Sequence, residues 1–464
     1  MTTKRPKVIL LSPKGPLYRH KGGIFGKGLR YMPQTFPTLA ALVPKEMDIE
    51  LICLDEGIQT IDPETLEADL VGMTVITGSA PRTYELASVF RRRKIPVVLG
   101  GPHITLAPDD AAPHADALVI GWAELSWPRL LRDWQAGRME AKYTEQPPHI
   151  LDIPRPDRSV LPSRHYLTDS VFEATRGCVF KCDFCVSPSA WGQKVWKKPV
   201  ANVVADIRAH GKKRLIFVDL NLTADRQYAL ELFDALTPLK VQWFGLATTM
   251  LVNDAELLEA CAESGCTGLL MGLESIDTAS LKGINKSFNK PENYARLVER
   301  LHQKRIALQG CFVFGHDGET PDVFERTARF AVEAGIDLPR FAISTPFPGT
   351  PLHHRLKAAG RLLHEDWSLY DGQHCVFRPS DMTPEELELG TEIAWKMTYS
   401  LANSFRRLRR TAAPLPIAIG TNLAYRHYAH NLKKFYTCDW GLAQPLLPKT
   451  EWVETAVLGR GTSL

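Results

Sequence analysis

The chain has 464 residues, of which 44% are hydrophobic and 23% charged, with a net charge of +4. That length accommodates two or three domains with sizeable cores, and the balance is that of a globular protein, excluding a disordered or low-complexity chain. So mild a charge gives no reason to expect nucleic acid as a partner, and no apolar run is long enough for a transmembrane span.

The start, Lys4-Arg5-Pro6-Lys7, precedes only a short apolar run, too short for the core of a signal peptide. The nine cysteines are odd in number and scattered apart from one triad, which suits a reducing cytoplasm and not a disulfide framework.

From Val8 short apolar runs alternate with helical stretches. Residues 8–11, 49–54, 71–76, 96–101 and 115–121 read as buried parallel strands. Residues 82–93 and 123–135 read as helices, the first with Leu86, Val89 and Phe90 toward a core. Five such strands predict a flavodoxin-like, doubly wound sheet whose ligands sit beyond the carboxyl ends of the strands. Small residues stand at those ends: Thr77-Gly78-Ser79 after the third strand, Gly100-Gly101-Pro102-His103 after the fourth and Gly121-Trp122-Ala123-Glu124 after the fifth. They leave room for a bulky planar cofactor, although glycines also simply end strands. Residues 141–165, rich in proline and charge, read as a linker.

Residues 171–185 read Val-Phe-Glu-Ala-Thr-Arg-Gly-Cys-Val-Phe-Lys-Cys-Asp-Phe-Cys. Cys178, Cys182 and Cys185 are spaced C-x-x-x-C-x-x-C, three thiols where a closed electron-transfer cluster takes four. A four-iron cluster on three thiolates keeps one iron open to an outside ligand. Structural zinc wants four N/S ligands, and no second pair lies nearby. With Phe184 before the last cysteine, the motif resembles the radical S-adenosylmethionine (SAM) family. The resemblance implies a [4Fe-4S] cluster on Cys178, Cys182 and Cys185, SAM chelated to the open iron, and reductive cleavage to a 5'-deoxyadenosyl radical that abstracts hydrogen from unactivated carbon.

Strand–helix units follow. Strands are predicted at 171–175, 215–220, 241–248, 267–275, 307–315 and 338–346, with a helix at 254–264 that Asp254 starts as an N-terminal anion. Six units match the incomplete β/α barrel of that family, with the reactive centre at the carboxyl edge. Asp219 and Asn221 end the second strand and Glu274-Ser275 the fourth; the fifth ends in Gly310-Cys311-Phe312-Val313-Phe314-Gly315, a small-residue edge suited to adenine or ribose. By resemblance Glu274 and Ser275 contact the ribose or methionyl part of SAM, with Asp219 a further candidate; each also suits a capping or barrel-mouth role. The turn Thr345-Pro346-Phe347-Pro348-Gly349-Thr350-Pro351 resembles a segment common in cobalamin-dependent members.

Upstream of such a barrel, residues 1–140 resemble the cobalamin-binding module of the cobalamin-dependent radical SAM enzymes. The resemblance places Thr77, Gly78, Ser79, Gly100, Gly101, Gly121 and Glu124 against cobalamin. The D-x-H-x-x-G motif that supplies a lower cobalt ligand in many cobalamin proteins is missing, since Asp55 is followed by Glu56-Gly57. The expected cobalamin is therefore base-off and without a histidine lower ligand. His103 lies at the right end of the sheet, where a lone histidine is more often a hydrogen-bonding residue. Trp122 stands where many relatives carry Glu.

The strand–helix rhythm stops near residue 360, and 361–464 reads as mainly helical, with helices at 382–410 and 416–435. Arg406, Arg407, Arg409 and Arg410 close the first helix. They suit a solvated helix end, or else a patch for a phosphate-bearing or membrane-borne substrate. Tyr370, Tyr399, Tyr425, Tyr428 and Trp395 suit either a pocket or a core.

The expected fold is thus α/β: a flavodoxin-like, Rossmann-type cobalamin domain (1–140), a linker (141–165), a partial (β/α)6 radical SAM barrel (166–360) and a helical C-terminal region (361–464). The resemblance implies C-methylation of an unactivated carbon by methyl transfer from methylcobalamin after hydrogen abstraction. The alternatives are oxidation, cyclisation or rearrangement with the same cofactors, and a non-catalytic iron–sulfur protein. The expected partners are a small-molecule substrate (lipid, tetrapyrrole or natural-product intermediate) and a low-potential electron donor such as flavodoxin or ferredoxin. Methylthiolation of transfer RNA needs a second cluster in the first domain, yet residues 1–150 hold only Cys53.

Overall fold

Two parallel sheets, each of six strands, carry the molecule. The structure, a computed structural model, describes residues 5–15, 31–146 and 151–432. The first sheet contains β1 (Lys7–Ser12), β2 (Glu50–Asp55), β3 (Leu70–Thr74), β4 (Val97–Gly100), β5 (Ala117–Val119) and β6 (Lys142–Tyr143) in the order β2-β1-β3-β4-β5-β6. Side chains alternate along a strand, so β1 feeds two cores. Val8 and Leu10 pack with Leu70, Val98, Trp127 and Leu130 on one face, and Ile9 and Leu11 with Val71, Leu86, Phe90 and Leu99 on the other. Each fully buried Leu or Phe contributes roughly 1.5–3 kcal/mol. The order reverses between β1 and β3, and this switch point opens the crevice at the carboxyl ends.

The linker expected at 141–165 instead begins with β6. Lys142 and Tyr143 pair with Leu118 and Val119, and fully buried Tyr143 seals the edge of β5.

The second half contains β7 (Val171–Phe172), β8 (Thr175–Gly177), β9 (Val195–Lys197), β10 (Arg214–Phe217), β11 (Gln242–Leu246), β12 (Cys266–Glu274), β13 (Ala307–Phe314) and β14 (Arg340–Ile343). Six form an open parallel sheet in the order β14-β13-β12-β11-β10-β7, packed on one continuous core that includes Phe217, Trp243, Leu269, Phe312 and Phe341. The first strand is not the single run expected at 171–175. Buried Asp219, beyond β10, accepts from the Ala174 amide (3.1 Å) and the Thr175 hydroxyl (2.7 Å) and also takes the Thr175 amide, so the chain leaves the sheet. β8 then pairs antiparallel with β9. Helix Ala255–Glu263 is capped by Asp254, whose carboxylate accepts from the Leu257 amide at 3.0 Å.

The barrel docks on the first sheet through the Thr345–Pro351 turn. Gly349 has φ +72°, and a Cβ there would lie 2.9 Å from the Leu106 carbonyl oxygen, so glycine alone fits this contact. Thr350 caps helix Pro351–Ala358.

The helix expected over 382–410 is broken at Tyr399–Ser400 into Pro384–Thr398 and Leu401–Leu408, with the Ser400 hydroxyl capping the second piece. The following helix is Leu415–Ala429; Phe435, the expected end, and Cys438 lie outside the described residues. Trp395 donates to the Phe341 carbonyl (3.0 Å) and Tyr399 to that of Pro339 (2.8 Å), with Tyr425 and Tyr428 against Trp395. These aromatics fasten the helices to β14. Among the described residues no helix is long and apolar enough to cross a membrane.

Candidate functional site

The cluster motif leaves β8 at Gly177, and Cys185 opens helix Val186–Trp191. Cys185 donates its amide to the Cys182 carbonyl at 3.1 Å, closing a turn that sets the last two thiols on one loop. All three cysteines are free, Cys182 being the most enclosed. Burial pushes the Cys182 thiol up to about 12 and raises Cys185 as well, while the Lys286 ammonium pulls both the other way. Metal ligation supplies the positive charge that offsets this burial. Among the described residues no group of His, Cys, Asp or Glu side chains is drawn together to hold a single metal ion. A four-iron cluster asks instead for three thiolates standing around a cube, one per iron, and the loop fits that donor set.

Three polar groups surround the loop. Asn221, buried beyond β10, points its amide nitrogen at Cys178 Sγ, 4.0 Å away. Glu274 ends β12 at a register shift with φ +64°, a left-handed conformation rare for a residue with a side chain, and strain of this kind collects at functional sites. Its Oε1 accepts from Lys286 Nζ at 2.5 Å, and Lys286 lies 5.8 Å from the ring centroids of both Phe184 and Phe288. Burial works against the Lys286 ammonium, but Glu274 and Cys182 outweigh it and hold its pKa above the ordinary lysine value. Ser275 donates to Glu319 at 3.0 Å, and Glu319 also accepts from the Gly315 and His316 amides. Asp219 is fully engaged at the β7–β8 break, and burial, reinforced by Glu173, pushes its carboxyl up to about 7. Of the three residues expected at SAM, Glu274 adjoins the cluster loop, Ser275 is tied to the end of β13, and Asp219 shapes the strand that delivers the loop.

Between the two sheets lies a cavity of about 490 Å³. Gly100, Gly101, Gly121 and Glu124 line it from the first sheet, and Glu173, Thr175, Arg176 and Leu220 from the barrel; Met32, Gln34, Phe36, Leu39 and Trp127 add to the wall. Gly101 has φ +105°, and a Cβ there would come within 2.8 Å of the Val75 backbone. The edge of β4 therefore stays flat and bare. Two buried polar atoms on this wall, Gln34 Nε2 and Glu124 Oε2, have no hydrogen-bond partner. A donor and an acceptor left open beside bare glycine edges fit a planar macrocycle that carries amide arms, as cobalamin does.

Thr77, Gly78 and Ser79 do not reach this wall. They form a buried 3-10 turn on the far side of the sheet end, against the Trp367–Leu369 segment, with Ser79 beside Gly15. His103 is also turned away and buried: Nδ1 lies 3.4 Å from the Thr77 hydroxyl, and Nε2 faces the Tyr84 hydroxyl (3.2 Å) and Asp110 (3.1 Å). Asp55, where a ligand motif would start, accepts from the Tyr166 hydroxyl at 3.0 Å and the Gly57 amide at 2.8 Å. Cavity and cluster loop are joined by an ion network that the sequence did not disclose. Arg176 donates to Glu124 at 2.7 Å and to both oxygens of Glu173 at 2.8 and 2.9 Å, and its guanidinium lies 4.8 Å from the Trp122 ring centroid. Lys198 adds a contact to Glu173 at 3.0 Å. Burial opposes the Glu173 carboxylate, but Arg176 and Lys198 hold it far below the usual range. The available signal was Glu173 and Arg176 standing three apart beside the cysteines.

The family model of the radical SAM superfamily matches residues 172–331 and that of the B12 binding domain residues 40–131. Bacteriochlorophyllide d C-12(1)-methyltransferase of Chlorobaculum tepidum is 31% identical over 395 residues, covering 82% of this chain and 85% of that protein. Bacteriochlorophyllide d C-8(2)-methyltransferase of the same organism is 30% identical over 417 residues, covering 86% and 92%. The fold is that of the radical SAM methyltransferase TsrM from Kitasatospora setae, solved with cobalamin and a [4Fe-4S] cluster, at a TM-score of 0.67 and 17% identity over 92% of this chain and all of that one. The glycine-edged cavity, the open three-cysteine loop and these relatives agree: the chain belongs to the cobalamin-dependent radical SAM enzymes.

Proposed function

We propose that this enzyme transfers a methyl group to a peripheral carbon of a cyclic tetrapyrrole. The observation that supports methyl transfer is the cavity walled by the carboxyl ends of both sheets, with Arg176 on its wall only two residues from Cys178. When bound, SAM on the cluster supplies hydrogen abstraction and cobalamin supplies the methyl group. Gly100, Gly101 and Gly121, with Gln34 and Glu124, would hold the cobalamin, and Arg176 fixes Glu124 against the barrel. Asn221 and the Glu274–Lys286 pair set the polar surroundings in which SAM is oriented. Met32, Phe36, Leu39 and Trp127 keep the cavity wall apolar and exclude water from the reacting carbon.

The tetrapyrrole assignment rests on what the two Chlorobaculum tepidum relatives are named for. Two electrons per turnover, one for reductive SAM cleavage and one to ready the cobalamin for remethylation, would come from a low-potential donor of the flavodoxin or ferredoxin kind, and the free thiols suit a reducing, cytoplasmic setting. Anaerobic incubation with a reductant, a bacteriochlorophyllide-type tetrapyrrole and SAM deuterated on its methyl group tests the assignment. The expected product gains a CD3 group as 5'-deoxyadenosine accumulates. SAM cleavage with an unlabelled, oxidised or cyclised product overturns methyl transfer in favour of the other chemistry open to these cofactors.

A further inference from the structure

Of the last two described helices the first is inside out, and the second packs Tyr425 and Tyr428 inward but leaves most of its large aliphatic side chains exposed. In Leu401–Leu408 the buried side chains are Ser404 and Arg407, while Leu401 is 64% and Phe405 63% exposed. In Leu415–Ala429 the buried set is Ala418, Asn422 and Ala429, whereas Leu415, Ile417 and Leu423 are 50% or more exposed. Ordinary surface helices do the reverse, turning the apolar stripe inward and the polar one to water. Of the inward polar groups Arg407 is tied across the interface: it donates to the Asp337 carbonyl (2.8 Å) and the Thr398 carbonyl (3.2 Å) and lies 4.6 Å from the Tyr399 ring centroid, while Ser404 Oγ and Asn422 Oδ1 are buried without a partner among the described residues. The inversion is thus fixed by the packing. The two helices pack on each other and on Pro384–Thr398, which itself exposes Leu389 and Ile393.

Charge identifies what covers this face. Residues 397–432 contain five arginines and no aspartate or glutamate. Arg406 and Arg409 are exposed on the same helix end as Phe405, the Arg409 guanidinium 6.0 Å from its ring centroid, whereas Arg410 is exposed but donates to the Glu333 carbonyl at 2.8 Å. A second copy of this surface would bring arginines against arginines. An anionic lipid surface satisfies both features, taking the aliphatic side chains into the acyl boundary and the guanidinium groups at the phosphates. We propose that helices Leu401–Leu408 and Leu415–Ala429 form an interfacial docking surface that seats the protein on anionic bilayers. The inference is independent of the methyl acceptor.

Flotation of the full-length holoprotein with vesicles of phosphatidylglycerol and phosphatidylcholine, against vesicles of phosphatidylcholine alone, tests it. The anionic vesicles are expected to carry the protein at low salt and the neutral ones to carry far less. Arg406→Glu and Arg409→Glu should each weaken partitioning at least fivefold, and Phe405→Ser with Leu423→Ser about tenfold or more. Cluster content and SAM cleavage should be unchanged in every variant, because none of these residues touches the cavity or the cluster loop. Absence of binding to anionic vesicles, or binding that these substitutions leave intact, overturns the proposal. So does a homo-oligomer at micromolar concentration that Phe405→Ser with Leu423→Ser disperses, since a second copy then covers the face.

Discussion

Replacing Arg176 by methionine keeps the stem that packs near Trp122 but removes a guanidinium holding two carboxylates of different domains. Glu173 loses both of its Arg176 bonds and keeps Lys198; Glu124 loses its one partner and is left with both oxygens bare in an enclosed site. Breaking a buried pair by removing one partner costs about 3–5 kcal/mol, most of it the penalty of the stranded charge. At about 2–4 °C per kcal/mol for a unit of 150–250 residues, the midpoint of thermal unfolding should fall by on the order of 10 °C. Glu124→Gln alone keeps an acceptor for Arg176 and should cost about 1 kcal/mol. Added to Arg176→Met it removes the stranded charge, so the double variant should be more stable than the two single losses add up to, by about 1–3 kcal/mol. Urea unfolding of the four proteins under anaerobic conditions gives this cycle. Additive losses, or an Arg176→Met cost below about 1 kcal/mol, would refute the claim that this network joins the two domains.

Three further outcomes follow from the site. Cys182→Ser should cut iron and sulfide to background and abolish the cluster absorbance while the circular dichroism of the fold persists; retained iron would mean that the ligands lie elsewhere. Lys286→Met strands the buried Glu274 carboxylate and should destabilise by about 3 kcal/mol while slowing SAM cleavage at normal iron content; an unchanged cleavage rate would remove the Glu274–Lys286 pair from the SAM site. Asp219 has a folded pKa of about 7 against an ordinary 3.8. Between these values the folded state keeps a proton that the unfolded state releases, so this group's contribution falls as pH rises from 4 to 7 and is level above. Asp219→Asn should therefore gain on the wild type over that window in denaturant titrations, and a pH-independent difference would contradict the burial argument.

Local patterns carried much of the architecture, because buried parallel strands such as Val8–Leu11 and Phe312–Phe314 announce themselves as apolar runs and the cysteine spacing is read without any tertiary knowledge. What escaped depends on distant partners. The break between β7 and β8 is made by Asp219, 44 residues from Thr175. β6 has two residues in a stretch rich in proline and charge, and only pairing with β5 makes it a strand. Thr77–Ser79 follows its strand as closely as Gly100–Gly101 follows β4, yet the turn packs under Trp367 on the other side, a distinction of faces that composition does not encode. Lys286 gave no signal because its partner Glu274 reaches it through a left-handed turn. The inverted helix read as an ordinary helix, since Arg407 and Leu401 exchange their usual places only through contacts with Asp337 and Tyr399.

Cobalamin content decides the account of the cavity. The protein is purified anaerobically from cobalamin-supplied cells, extracted with cyanide, and its dicyanocobalamin counted per chain beside Gly101→Val and His103→Ala. The geometry predicts close to one cobalamin per chain in the wild type. It predicts loss in Gly101→Val, whose side chain would collide with Val75, and retention in His103→Ala, whose imidazole is turned from the cavity. Cluster-replete protein without cobalamin, or cobalamin that depends on His103, would contradict it.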